Sequence, residues 1–436
     1  MADAGELLVS LHERGLLARQ EVLDRSRYSM LATIQEYAVD QLPEPATREL
    51  KRAHARYFLG VLGAAHQQLG GTDYISALER ITIDFANFET GIRESQASQD
   101  HNAVFDYAGS LADYLHIRGR HRDRLTLALA ARAAAENIDI SIVAGADNNL
   151  GIAYEDLPTG DRGDNLRRAI ACYEAALRVW TERDFPQNWA TAQNNLGNAY
   201  ADLPTGDRGD NLRCAIACFE AAPRVRTERD FPQDWAMTQN NLGAVYADLP
   251  TGHRGDNLRR AIACFEAALR VRTERDFPEY WAATQNNLGI GYANLPTGDR
   301  GDNLRRAIAC YEAALRVRTE RDFPQDWATA QNNLGAAYTN TPTGDRGDNL
   351  RRAIACYEAA LRVRTERDFP QDWATTQNNL GLAYAGLPTG DRGENLRRAI
   401  AYYETAARGY DATGMTNEAD RARSTARGLE EEPKKG

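Results

Sequence analysis

A chain of 436 residues with 62 acidic and 52 basic side chains carries a net charge of −10, which argues against bulk attraction to nucleic acid or to an anionic membrane. No early apolar leader and no run of about 18 apolar residues interrupts it, so the expected compartment is the cytoplasm and no membrane partner is expected.

In chain order, residues Leu7 to Leu17 read as a helix, Glu21 to Leu31 as a short hairpin, and Met30 to Ala38 as the start of another helix. A basic helix follows, carrying Lys51, His54, Tyr57 and Phe58. Further on lie Leu78, Phe85, Asn87, Phe88 and the run Tyr114 to Arg120. The run of Arg27, Tyr28, Leu31, Thr33, Ile34, Glu36, Tyr37 and Ala38, followed by that basic helix, resembles the end of the winged-helix region in bacterial STAND signalling ATPases, an NB-ARC-like class. The resemblance implies a partial winged-helix segment over 1–42 and a helical adaptor with degenerate repeats over 43–140. The Gly-x-x-x-x-Gly-Lys-Ser/Thr phosphate loop of such ATPases is absent from the sequence, and the glycines of the Thr-Gly-Asp-Arg-Gly-Asp connections lie between helices and lack the lysine. On this resemblance the chain is the sensor half, either a fragment or a stand-alone descendant, and an ATPase or effector domain absent from it is one expected partner.

From residue 141 the text becomes periodic. Leu-Gly pairs end at Gly151, Gly197, Gly243, Gly289, Gly335 and Gly381, a spacing of 46 residues. A fixed period of this size means stacked supersecondary units, each resting on its neighbours. Pro186 to about Asp202 reads as a first helix, with Pro186 at its first position and Trp189, Leu196 and Tyr200 on one stripe. Leu203 to Asp210 holds the Pro and Gly that stop it. Asp210 or Asn211 offers an N-cap oxygen for a second helix from Leu212 to about Arg229. Its apolar face in a clean copy is Leu304, Ala307, Ile308, Tyr311, Ala314, Leu315 and Val317. Pro223 interrupts that helix where other copies hold Leu177, Leu269, Leu315 and Leu361, which predicts a kink or an early end. A repeat such as 299–344 holds six Arg and six acidic residues, so its arginines read as solvated Arg–Glu faces.

Leu196, Gly197, Tyr200, Ala215, Phe219, Ala222 and Pro232 follow in order the signature of the tetratricopeptide repeat, which this unit resembles. It departs in length, about 34 residues being usual, and in placing Gln193, Gln239 and Gln285 at the first-helix Trp slot, with Trp one turn earlier. The long unit and its Asn-Asn-Leu-Gly core look most like the repeats of kinesin light chains. The fold implied is all-α: a tetratricopeptide-repeat solenoid, a right-handed superhelix of helix pairs over 141–410. A small winged-helix remnant and the adaptor precede it. The segment 411–436 closes it, with a capping helix near Asn417–Leu429 and the polar tail Glu430–Gly436.

Little in the sequence carries catalysis. No His-Glu-x-x-His, Gly-x-Ser-x-Gly or Cys-x-x-Cys occurs, so no catalytic residue, metal or cofactor is expected. Cys172, Cys218, Cys264, Cys310 and Cys356 are one position of successive repeats, spaced by at least a helix packing distance and so beyond disulfide reach. They read as small hydrophobes, and Cys214, four residues before Cys218, finds no recurring metal partner. Asp299 and Asp302 read as caps or turn residues, and His116 with His121 as a chance pair. Arg-Gly-Asp recurs in the connections but becomes Arg-Gly-Glu at 392–394.

One feature exceeds the needs of a helix. Asn148-Asn149 recurs as Asn194-Asn195, Asn240-Asn241, Asn286-Asn287, Asn332-Asn333 and Asn378-Asn379. Asn is a mediocre helix former, so a repeated pair asks for a compensating role. In tetratricopeptide proteins the second Asn slot lies on the concave face, and the resemblance implies amides there that give and take hydrogen bonds with a bound peptide backbone, as in O-GlcNAc transferase and kinesin light chains. Asn198 would join that wall, with Ala201 and Asp202. Two other readings stand beside it: both Asn bridge neighbouring helices, or duplication copied them without selection. The expected function is recognition of a protein or extended peptide in the concave groove, as the sensor arm of a signalling or defence protein. The rival is a structural scaffold or self-association module.

Overall fold

The computed structural model describes residues 4–22, 25–30, 37, 40–69 and 73–431. Among them the chain is helical apart from one hairpin. It divides into two compact units, Met1–Pro158 and Thr159–Gly436.

The first unit opens on helix Ala4–Glu13. Gly15, at a φ of 72°, ends it short of the expected Leu17. Leu17–Val22 then pairs antiparallel with Arg25–Met30, in register from Leu17 opposite Met30 to Val22 opposite Arg25. The hairpin thus begins at Leu17 rather than Glu21, and Met30 belongs to its second strand. The helix expected over Met30–Ala38 falls mostly outside the described residues. Helices Glu44–Gln68, Tyr74–Ala97, His101–Ile117, His121–Ala135 and Ile140–Glu155 follow. Phe88, Tyr107, Leu111 and Leu115 fill their core. The Tyr107 hydroxyl donates to the carbonyl of Ala55 at 2.6 Å, and its ring lies where a side chain on Gly91 would go.

The second unit alternates two kinds of helix. The A helices are Pro186–Asp202, Pro232–Asp248, Pro278–Asn294, Pro324–Asn340 and Pro370–Ala385. The B helices are Arg162–Val179, Arg208–Ala221, Arg254–Leu269, Arg300–Val317, Arg346–Ala360 and Arg392–Ala412. Each A helix starts on proline, where the missing N–H costs no bond. Each B helix starts earlier than expected. In five of the six the N-cap is Asp161, Asp207, Asp299, Asp345 or Asp391, whose side chain accepts from the backbone N–H three residues on, while Arg254–Leu269 has His253 there and no side-chain cap. Neither Asp210 nor Asn211 caps. Asn211 instead donates to the carbonyl of Thr205 at 2.9 Å and so fastens the connection, which turns at Gly206 with φ 84°. The B helices also end before the expected Arg229 position. Thr227 there accepts from the Asp230 N–H and donates to its carboxylate, a turn that repeats at Thr181, Thr273, Thr319 and Thr365.

Small and large residues interlock at the Leu-Gly anchor. A Cβ on Gly289 would stand 2.6 Å from the Tyr311 ring, and one on Gly243 2.7 Å from Phe265. Only glycine lets the B-helix aromatic press on the A-helix backbone. The helix Arg208–Ala221 gives way to a 3-10 turn, Ala222–Arg224, at the interrupting Pro223. The sister helix with Leu361 ends one residue later, at Ala360, whereas those with Leu177 and Leu315 run on to Val179 and Val317; Leu269, Leu315 and Leu361 are only half-buried. Proline therefore sits in the last turn of these helices, where their ends vary from copy to copy. The helix Thr416–Glu430 closes the stack by laying Ala419, Ala422 and Ala426 on Tyr403, Ala407 and Tyr410.

Candidate functional site

Successive A helices of the second unit approach one another more closely than successive B helices do. A stack tighter along its A helices curves toward them, so they line its inner face. On Pro278–Asn294 the positions not buried include Tyr280, Ala283, Asn287, Ile290 and Asn294, which form one stripe at helical spacing. The second Asn of each pair is the centre of that stripe: Asn195, Asn241, Asn287, Asn333 and Asn379 are all half-exposed. Asn198 is half-exposed on the same stripe, one turn further along.

The first Asn points elsewhere. Asn194 and Asn286 are buried, while Asn240, Asn332 and Asn378 are half-buried. Three of them receive the second Asn of the next repeat: Asn287 donates to Asn240 at 3.3 Å, Asn333 to Asn286 at 3.3 Å and Asn379 to Asn332 at 3.2 Å. Asn241 donates instead to Asn198, at 3.0 Å. Threonine also donates to first-Asn side chains, with Thr238 on Asn194, Thr284 on Asn240 and Thr376 on Asn332 at 3.2–3.3 Å. The pair is thus first an inter-repeat clasp, which repays the poor helix propensity of Asn with a hydrogen bond at a half-buried joint. Among the described residues, the side-chain carbonyls of Asn287, Asn333 and Asn379 accept no hydrogen bond in the protein, and all three residues are half-exposed. In the N-terminal unit Asn148 is buried, and Asn149 is exposed and lines a cavity of about 260 Å³ with Asp113, Arg124 and Leu127.

Behind the clasp lies a row that sequence reasoning missed. Arg272 and Arg364 are each only 7% exposed, and the side chains of Arg226 and Arg318 are nearly as enclosed. These are not solvated faces. Arg272 donates to Thr284 at 2.9 Å and Arg364 to Thr376 at 3.2 Å. The polar chain therefore runs Arg–Thr–Asn–Asn through those interfaces. Burial lowers the guanidinium pKa of Arg272, Arg318 and Arg364 from the usual value. Asp234, Asp326 and Asp372 stand 3.7, 3.5 and 3.9 Å from Arg226, Arg318 and Arg364. Only the register of Arg against a Thr twelve residues later would have disclosed the row, and the surrounding Arg-rich text hides it. Another arginine two residues earlier does meet the Arg–Glu expectation: Arg270 and Arg316 lie 5.3 and 5.2 Å over Trp235 and Trp281 and fork onto Glu228 and Glu274.

The cysteines hold no site. Burial pushes the thiol of Cys218 up to about 12 and those of Cys264, Cys310 and Cys356 up to about 11. No cluster of three or more metal-ligating side chains occurs among the described residues. His116 and His121 meet edge-to-face at 5.9 Å, and His116 also contacts Asp156 at 3.0 Å. No helix among the described residues is long and apolar enough to cross a membrane.

No family model matches the chain, and no curated protein matches it. Among solved structures, BtubC (BKLC) from P. vanneervenii is 24% identical over 56% of this chain and 91% of that one, with a TM-score of 0.43. A signal transduction ATPase with numerous domains and a tetratricopeptide repeat sensor, from Pyrococcus horikoshii, is 15% identical over 98% of this chain and 58% of that one, with a TM-score of 0.48. The apo form of RapI is 14% identical over 86% of this chain and 97% of that one, with a TM-score of 0.54. That likeness and the helix pairs above give the fold: an all-α solenoid of tetratricopeptide type.

Proposed function

We propose that the inner face of the stack binds an extended peptide or a protein segment through its backbone. The observation that carries this is the row of half-exposed second-Asn amides, of which Asn241, Asn287, Asn333 and Asn379 are each held in place by the repeat before. An amide whose N–H is committed to a neighbour and whose carbonyl faces the groove is a preorganised acceptor for a peptide N–H. Small neighbours such as Ala244, Ala283 and Ala336 leave room for a chain to approach. The finer reading is that this arm senses a ligand for a STAND-type signalling or defence protein in the cytoplasm. It rests on the sequence run from Arg27 to Ala38 and on the hairpin whose second strand, Arg25–Met30, holds the start of that run. The long repeats are kinesin-light-chain-like in the same sense.

The test is a random peptide library displayed on phage, selected on the wild-type chain and on a triple Asn241→Ala, Asn287→Ala, Asn333→Ala variant. Peptides enriched on the wild type should bind the triple variant roughly tenfold or more weakly, while its helical circular dichroism stays intact. Equal binding by the two proteins would support the scaffold reading, in which the clasp is only structural.

A further inference from the structure

We propose that the groove contains one rung specific for a carboxylate side chain, built from Arg272 beneath Tyr280, which receives an Asp or Glu of the bound peptide. The proposal rests on the groove reading above and adds to it the ligand's chemistry at one point.

The argument is an internal comparison. Each of the four buried arginines is followed eight residues later by a side chain on the inner stripe. In three repeats that residue is Asp234, Asp326 or Asp372, 3.5–3.9 Å from its arginine. In the fourth it is Tyr280, whose ring centroid is 5.0 Å from the Arg272 guanidinium. Among the described residues no carboxylate lies within 4.0 Å of Arg272. Glu279, the residue before Tyr280, acts electrostatically on Arg318 of the next repeat instead. Arg272 is nonetheless as buried as Arg364, which has its aspartate. A guanidinium taken from water without a counter-ion is costly, and an aromatic face offsets only part of the loss. The tyrosine is 61% exposed on the inner stripe, so it is free to turn aside. The three sister aspartates show that a carboxylate approaching from that stripe reaches the guanidinium. The other three rungs bring their own counter-ion. This one is completed by the ligand, which fixes where along the groove an acidic residue must lie.

The same displayed library tests this, with the peptides fused so that no free C-terminus is present and every carboxylate is a side chain or belongs to the carrier. Wild-type selection should enrich Asp or Glu at one fixed position of an otherwise tolerant motif. A synthetic, C-terminally amidated peptide with that motif should bind Tyr280→Asp roughly tenfold more weakly than wild type, because the variant supplies its own carboxylate. The Tyr280→Phe variant, which keeps the ring, should bind within about twofold. Tyr280→Asp installs the residue of the three sister repeats, and circular dichroism verifies that it folds. Enriched peptides that show no acidic position, or that bind Tyr280→Asp as well as wild type, overturn the proposal. If such peptides still lose binding to the triple Asn variant, the groove reading survives and only the carboxylate rung fails. No enrichment on the wild type sinks both.

Discussion

Single residues set the spacing of this protein. A methyl group on Gly335 would stand 2.7 Å from the Tyr357 ring, and that tyrosine is fully buried. Gly335→Ala should therefore destabilise the stack by about 1–3 kcal/mol, the usual range for overpacking, measured by urea unfolding. The buried thiols give a pH signature. Their folded pKa values lie above the ordinary 9.0, at about 11 to 12. A raised pKa contributes stability that is complete below 9 and is lost as pH climbs from 9 toward 11, since the unfolded thiol ionises first. The urea midpoint should fall over that window. A quadruple Cys→Ala variant at 218, 264, 310 and 356 should fall less, by about 1 kcal/mol per thiol near the upper end. Equal pH slopes in both proteins would exclude the thiols as the cause. At this scale the sequence was only partly legible. The Asn pair announced itself by recurring against its propensity, but its division of labour did not, since both residues are the same amide and only the neighbouring repeat distinguishes them. Arg272 looked like any arginine of an Arg-rich helix.

Elements were read more easily, because their boundaries follow local chemistry. Pro186 opens a helix and Pro204 with Gly206 closes it, by φ restriction alone. The B-helix start was misplaced because Asp207 caps it and the Arg-Gly-Asp run lies inside the helix. Glycine at its second position looked like a loop residue. The Gly is tolerated because Thr251 of the next connection packs against it, which is a tertiary reason. Pro223 belongs at this scale too. The helix ends at Ala221 and passes into a 3-10 turn over Ala222–Arg224, in the last turn of the sister helices, so most of the penalty of a mid-helix proline is avoided. Pro223→Leu should stabilise by about 1 kcal/mol rather than the 3 kcal/mol or more of an interior proline. Hydrogen exchange should slow only over residues 219 to 226. Slowing across the whole of Arg208–Ala221 would mean that the proline strains the full helix.

In the whole molecule the fold was the most legible property and the ligand the least. Six copies of one text repeat the same evidence for helix, turn and packing, so errors of a few residues in each do not alter the architecture. A ligand leaves no such redundancy, because one tyrosine in place of aspartate changes a rung. Repeat stacks are sums of units and nearest-neighbour joints, and here the joints are identical enough to exchange. Removing residues 300 to 345, one full period, should leave a folded chain with proportionally less helix and a lower midpoint. Removing half a period should abolish cooperative unfolding by leaving an A helix against the wrong partner. If the full-period deletion fails to fold, the joints are not interchangeable.

That expectation follows from the direction of the clasp. The later repeat donates and the earlier accepts, from Asn287 to Asn240, Asn333 to Asn286 and Asn379 to Asn332. Each unit therefore carries a plug on one side and a socket on the other, cut to the same gauge. A gene that copies such a unit in frame needs no second mutation to seat the newcomer, and one that loses a unit needs none to close the gap. The length of the arm is thus inheritable in whole steps. A reach suited to a longer or shorter partner is available by slippage of the DNA alone.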